Sequence, residues 1–265
     1  MYSQLQLASK FLKYWLKASN GKGHGVHSPF VFDFIEHVLN DKQDYYCYPK
    51  IEALRNALLA NETILTIEDF GAGSHTSATK QRSIQSIARS ALKPKKFGQL
   101  LFRIANYYQP KFILELGTSL GITSAYLASA NHQVQVVTME GATAVAATAE
   151  RHFQQLGLNN IQLTVGNFDE TLGPVLSQLK QVDLAFIDGN HREEPTIRYF
   201  KQLLPYCREN TILIFDDVHW SKQMEQAWET IKADERVLLT IDLFFIGLVF
   251  FRKDFKVKQH FTIWF

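Results

Sequence analysis

From residue 110 onward the chain alternates short apolar runs with helical periods, and this rhythm restricts the fold more than any other feature of the sequence. The runs Phe112–Leu116, Val134–Met139, Ile161–Val165, Asp183–Ile187 and Thr211–Phe215 are followed by helical patterns over 121–130, 143–156, 170–179, 193–208 and 221–234. A strand followed by a helix and another strand returns to the same end of the sheet, so five such units predict an α/β, doubly wound, Rossmann-like parallel sheet. Two further runs, Val237–Phe244 and Gly247–Arg252, are separated only by Phe245 and Ile246, and a link that short forces an antiparallel pair. The expected sheet therefore has seven strands with its last pair antiparallel, and Phe261–Phe265 is a candidate for one more.

The first 94 residues read differently. Leu5, Ala8, Leu12 and Trp15 recur every three or four positions with Lys10, Lys13 and Lys17 mostly opposite, the pattern of an amphipathic helix over 2–18. Ser28-Pro29 is an N-cap and first-turn pair for a helix over 29–39, and helices near 50–60, 82–92 and 95–108 follow. Ile64–Ile67 is a short apolar segment between them. The expected organisation is a helical N-terminal cap, residues 1–94, that selects the substrate, and a ligand-binding α/β domain, residues 95–265.

At 46% hydrophobic and 20% charged, the composition excludes disordered, collagenous and disulfide-scaffold classes. Cys47 and Cys207 are the only cysteines and form no Cys-x-x-Cys or Cys/His cluster, which argues for a reducing, cytoplasmic setting and against a structural zinc site. The N-terminus lacks the basic tip and continuous apolar stretch of a signal peptide, and the longest apolar run, Leu238–Phe251, is interrupted by Asp242. Of the two places for the first helix, a membrane surface or an intramolecular or homodimer contact, the second is the commoner, so no membrane partner is expected. Residues 1–109 carry 14 Lys and Arg against 8 Asp and Glu, whereas the remainder carries 14 against 18. A weak net charge of +2 argues against a nucleic-acid partner, and the basic first half favours an anionic acceptor.

The chemistry gathers at the ends of the strands. Ile113-Leu-Glu-Leu-Gly-Thr-Ser-Leu-Gly121 is a buried strand entering a Gly-x-x-x-Gly turn, where a ligand can approach the backbone closely. It is not the Gly-x-Gly-x-x-Gly of pyrophosphate-binding dinucleotide folds, which points to a phosphate-free ligand, S-adenosylmethionine. Glu140 ends the strand that follows this turn and its helix, where a carboxylate can hold a ribose diol, and Gly166-Asn-Phe168 follows the third strand, where an adenine would lie. The expected cofactor-binding set is Glu115, Gly117, Thr118, Ser119, Gly121, Ile122, Thr123, Glu140, Gly141, Gly166, Asn167, Phe168 and Asp188. A second glycine turn, Asp69–Ser74, has no strand and acid at the required distance behind it and reads as a capping turn.

Asp188 ends the fourth strand and Asp216-Asp217 the fifth. Three carboxylates on neighbouring strands repel one another unless a cation lies between them, and oxygen ligands suit Mg²⁺, Mn²⁺ or Ca²⁺. His191 is the expected general base and His219 a weaker candidate for that role or for substrate contact. His24 and His27, in a glycine-rich loop without nearby acids, read as part of a connector, and Lys93–Lys96 as a solvated helix start.

The segments Glu115–Gly121, Phe186-Ile-Asp-Gly-x-His191 and Phe215-Asp-Asp217 resemble the metal-dependent O-methyltransferases of the catechol, caffeoyl-CoA and sugar-modifying types, over about residues 95–252. The resemblance implies metal ligation by Asp188, Asp216 and Asp217, and Lys96–Leu101 resembles the segment that folds over the cofactor's methionine end. Catechol-type enzymes place a Lys base where His191 stands here. The implied activity is methyl transfer to a hydroxyl of a small-molecule acceptor. The alternatives are a metal-independent N- or carboxyl-methyltransferase and a catalytically silent cofactor-binding scaffold.

Overall fold

The computed structural model describes residues 1–19, 21–23, 26–69 and 78–265. The glycine turn expected at 69–74 lies, apart from the backbone of Asp69, outside the described residues, as does His24. Among the described residues the strands are β1 (Ile64–Asp69), β2 (Ala78–Ser83), β3 (Phe112–Leu116), β4 (Gln135–Glu140), β5 (Ile161–Val165), β6 (Val182–Ile187), β7 (Cys207–Asp216), β8 (Leu239–Asp242), β9 (Ile246–Phe250) and β10 (Gln259–Thr262). The helices are α1 (Gln4–Lys17), α2 (Pro29–Phe34), α3 (Tyr48–Leu59), α4 (Ile84–Ala91), α5 (Lys95–Tyr108), α6 (Ile122–Ala128), α7 (Thr143–Leu156), α8 (Phe168–Leu179), α9 (Glu193–Leu203) and α10 (Lys222–Ala233).

The mixed sheet has eight strands in the order β10-β8-β9-β7-β6-β3-β4-β5. The pairs β3–β4, β4–β5 and β6–β7 are parallel, as the alternating pattern requires, and β9 is antiparallel to both β7 and β8. The eighth strand is the terminal one, but over 259–262 and parallel to β8. Residues 80–83, read from the sequence as the start of a helix, belong instead to a strand over 78–83 that pairs Ser83 with Ile64 and Arg82 with Leu65 in a separate two-stranded sheet. Ala-Thr-Lys-Gln-Arg-Ser has no apolar alternation, so its strand character comes from the partner and not from its own pattern. Pro205 ends α9 in a short 3₁₀ turn, because proline lacks the N–H the helix needs.

By internal packing the chain forms two units, Met1–Asp41 with Leu179–Phe265, and Lys42–Gln178, so the division runs across the 1–94 and 95–265 partition expected from the sequence. In the second unit Ile51, Leu54, Leu58, Ile84, Ile87, Ile122 and Tyr126 form a buried cluster beneath α3, α4 and α6. Tyr45 and Tyr48 belong to it, with ring centroids 4.6 and 5.3 Å from Phe102. These two rings are core, whereas Tyr46, next to Tyr45 in the chain, is exposed.

In the first unit Phe215 and Trp228 pack with centroids 6.3 Å apart, and Trp228 is fully buried. Ser221 caps α10 by accepting from the Met224 N–H at 3.1 Å, satisfying one of the helix's orphan donors. A polar cluster fastens α1 to this unit: Glu225 accepts from the Tyr2 hydroxyl at 2.7 Å and from Lys10 Nζ at 2.9 Å. His219 completes it, with Nδ1 3.1 Å from Glu225 Oε1 and Nε2 2.8 Å from Asp242 Oδ2, its ring stacked on Phe244 at 5.1 Å. Burial works against the protonated imidazole, but hydrogen bonds and charge from Asp242 and then Glu225 outweigh it and raise the His219 pKa. His219 is thus a tie between α10 and β8, an arrangement different from the base role considered from the sequence.

Candidate active site

In the second unit β3 enters the turn Gly117–Gly121 and leaves it as α6. Gly117 and Gly121 have φ of 106° and 83°, left-handed values that a side chain resists, and Ser119 joins them at 48°. The Gly117 and Thr118 N–H groups both donate to the Met139 carbonyl at 3.0 Å, tying the turn to the end of β4. A Cβ on Gly121 would stand 2.6 Å from Phe153 Cε1 and 3.3 Å from Ala149 Cβ, so α7 packs directly against this backbone.

Glu140, the last residue of β4, accepts from the Ser119 N–H through Oε2 at 2.8 Å and from the Ala142 N–H through Oε1 at 3.0 Å. Burial raises its pKa, against the lowering effect of the Ala142, Ser119 and Gly141 backbone donors. A carboxylate offers about four acceptor positions, so capacity is left for a ligand's hydroxyls. The Ser119 hydroxyl is buried and has no hydrogen-bond partner among the described residues. A buried donor left unmade costs on the order of 1–3 kcal/mol, which makes this hydroxyl a fitting contact for a bound cofactor.

Other members of the expected set support the turn from below. Glu115 is fully buried and accepts from the Ser124 hydroxyl and, at 2.6 Å, from Thr138 Oγ1, while Thr118 Oγ1 lies 2.6 Å from that same Thr138 oxygen. Ile122 is buried and Thr123 half-buried in the first turn of α6. Gly166, at φ 139°, donates to the Glu140 carbonyl at 2.9 Å; Asn167 Oδ1 accepts from the Asp169 N–H at 3.1 Å, and Phe168 opens α8. Gly141 lies half-buried beside Glu140.

One contributor has no motif in the sequence. His152, on α7, places Nδ1 2.9 Å from the Leu120 carbonyl inside the glycine turn. A carbonyl only accepts, so Nδ1 carries the proton, and burial lowers the ring's pKa, favouring the neutral form. Its position in helix 143–156 was legible from periodicity, but its partner lies 32 residues away and only packing supplies it.

In the first unit the parallel register pairs Leu184 with Ile212 and Ile187 with Phe215, so the next residues on both strands are Asp188 and Asp216. Asp188, His191 and Asp216 each offer one ligand atom, and these atoms lie within 4.8 Å of one another. His191 Nε2 is 3.4 Å from Asp188 Oδ1, and Asp216 is 1% exposed. Two carboxylates so close form an oxygen donor set that a divalent Mg²⁺ or Mn²⁺ fits, since the cation offsets repulsion the fold would otherwise bear, with the His191 imidazole beside them. Asp217 stands outside this group of three; it adopts φ 52°, and its N–H donates to the Phe245 carbonyl at 2.7 Å. The structure thus assembles the cofactor turn in one unit and an acid–imidazole cluster in the other.

Residues 114–218, which include Glu115, the glycine turn, Glu140, Asp188, His191 and Asp216, match the family model of a methyltransferase domain. A catechol O-methyltransferase of Niastella koreensis is 29% identical over 124 residues, 46% of this chain and 55% of that protein. An uncharacterised protein of Acanthamoeba polyphaga mimivirus is 35% identical over 72 residues, 26% of this chain and 33% of that one. The chain thus spans between a third and just over half of the length of these curated relatives. The solved structure of an S-adenosylhomocysteine-bound methyltransferase from Podospora anserina shares the fold over 96% of this chain and 98% of its own, with a TM-score of 0.58 at 14% identity. Residues 114–218 thus match a methyltransferase domain, and the chain shares its fold with a solved methyltransferase.

Proposed function

We propose that the protein transfers a methyl group from S-adenosylmethionine to a hydroxyl of a small-molecule acceptor, with a divalent ion held by Asp188 and Asp216 and with Asp217 as the adjoining carboxylate. The observation that carries this reading is the meeting of Asp188, His191 and Asp216 within 4.8 Å at the ends of paired strands. The name of the Niastella koreensis relative, a catechol O-methyltransferase, supports a hydroxylated acceptor. When bound, the ion supplies charge that lowers the pKa of the acceptor hydroxyl and fixes its oxygen.

In this reading the chain's own residues do the rest. Gly117–Gly121 gives the cofactor close backbone approach, Glu140 takes its ribose hydroxyls, Ser119 offers it a hydroxyl, and Gly166–Phe168 flanks its adenine. His191 receives the hydroxyl proton as the new C–O bond forms, while the S–CH₃ bonding pair stays on sulfur and the product is S-adenosylhomocysteine. Residues 1–94 are retained as the source of acceptor selection. Transfer of labelled methyl to a panel of diol and phenol acceptors should require Mg²⁺ or Mn²⁺, stop on adding EDTA, and return when the ion is restored in excess. Transfer that continues unchanged in EDTA after exhaustive dialysis overturns the metal part of the reading and favours N- or carboxyl-methylation.

The His152–Leu120 bond gives this reading a positioning residue. His152→Ala should raise the KM for the cofactor about fivefold, the worth of one neutral hydrogen bond, with kcat nearly unchanged. His152→Asn, whose amide nitrogen falls near the position of Nδ1, should recover most of the loss. A fall in kcat alone would remove the turn-positioning role.

A further inference from the structure

α1 carries an apolar arc wider than its own unit covers. Leu7, Phe11 and Tyr14 share one side of the helix; Tyr14 is buried, and the Phe11 ring meets Phe244 at 5.1 Å. The adjoining roughly 100° of helix surface, at about 3.6 residues per turn, holds Trp15, Ala8, Leu12, Leu5 and Leu16. Leu5 is 85% exposed, Leu16 68% and Leu12 56%. The apolar surface continues beyond the helix, because Trp15 meets the half-exposed Trp264 with ring centroids 5.5 Å apart. Single exposed apolar residues are ordinary, but a contiguous stripe of Leu and Trp marks a surface that something covers.

Charge decides what covers it. Lys13 and Lys17 are exposed on the polar side that borders the stripe, and Lys10 is committed to Glu225 at 2.9 Å. α1 contains no Asp or Glu, and the first acidic residue of the chain is Asp33. A second copy docking through the same stripe would bring two lysine-bearing helices together with no carboxylate on either to pair with them. An anionic bilayer answers both features at once, taking Leu and Trp into the boundary between headgroups and acyl chains and the lysines onto lipid phosphates. We propose that α1 seats the protein on an anionic lipid surface through Leu5, Leu12, Trp15 and Leu16, with Lys13 and Lys17 on the headgroups. The helix would lie in the surface and not through it; none of the described helices is long and apolar enough to cross a membrane. This inference replaces the sequence-based expectation that no membrane takes part.

The test uses the full chain with two vesicle preparations, phosphatidylcholine mixed with phosphatidylglycerol and phosphatidylcholine alone, read by co-sedimentation and tryptophan emission. Binding to the anionic vesicles, a blue shift, and release by salt are expected, with little binding to the neutral ones. The double substitution Leu12→Ser with Leu16→Ser should weaken partition about tenfold or more. Lys13→Gln and Lys17→Gln should each cost about fivefold. All four positions are exposed, so circular dichroism melts of the variants should overlay the parent. Failure to bind anionic vesicles overturns the proposal, as does binding indifferent to the Leu substitutions. A dimer in sedimentation velocity that Leu12→Ser with Leu16→Ser dissolves, without vesicle binding, would assign the stripe to a second copy instead.

Discussion

Replacing Asp188 or Asp216 with Asn should lower methyl transfer by about two to three orders of magnitude, the usual loss when a preorganised electrostatic contact to the reacting group is removed. The same substitutions should leave thermal stability in metal-free buffer unchanged or higher. Asp188 and Asp216 place carboxylate oxygens within 4.8 Å of each other, one of them almost fully buried, and like charges at that distance repel by a few kcal/mol in a partly buried setting. Asn keeps the shape and removes one charge, so a site selected for chemistry over stability becomes more stable as it loses function. Added Mg²⁺ or Mn²⁺ should raise the melting temperature of the parent, by mass action on the folded state, and have little effect on either variant. Parallel calorimetric melts with and without ion, beside the transfer assay, decide the matter. Full activity in both variants, or an ion-induced shift that survives the substitutions, would remove Asp188 and Asp216 from the site. Asp217→Asn, measured alongside, reports whether the third carboxylate takes part.

Gly121→Val should cost about 4 kcal/mol of stability and weaken cofactor binding more than tenfold. Two separate costs add. A β-branched residue at φ 83° pays roughly 1–3 kcal/mol in backbone strain, and the inserted side chain meets Phe153 and Ala149 in a packed interior, roughly another 1–3 kcal/mol. For a chain of this size the sum corresponds to a fall of roughly 10 °C in Tm. Relief of the clash would push α7 away from the turn, taking with it the His152 contact to the Leu120 carbonyl. Titration calorimetry with S-adenosylhomocysteine and thermal melts give the two readouts. A variant with parental Tm and parental affinity would show that the turn tolerates a Cβ, contrary to the packing.

The strands that carry the acids were readable because each is buried and apolar before its terminal carboxylate. Val134–Met139, Asp183–Ile187 and Thr211–Phe215 announce a sheet, and the acid that follows each run, Glu140, Asp188 or Asp216, announces the edge where ligands bind. Residues 78–83 were not readable, since six mostly polar residues become a strand only by pairing with Ile64–Asp69. His219 carried a signal in the sequence, an imidazole two residues after Asp217, but its contacts with Glu225 and Asp242 turn it toward α10 and β8. Tyr45 and Tyr48 pack against Phe102 in the core, and no local pattern names that partner more than 50 residues away.

The sequence by itself determined the parallel doubly wound sheet, the glycine turn and the register that puts an acid at the end of β6 and of β7. Hydrophobic period and chain connectivity are local properties, and local properties survive in a linear string. Tertiary structure alone decided that His191 joins Asp188 and Asp216 while Asp217 stands apart, that His152 braces the glycine turn from α7, and that half of the apolar arc of α1 faces solvent. Each of these depends on distances between residues far apart in the chain or on which face of an element is already covered. Periodicity names a face without saying what will bury it.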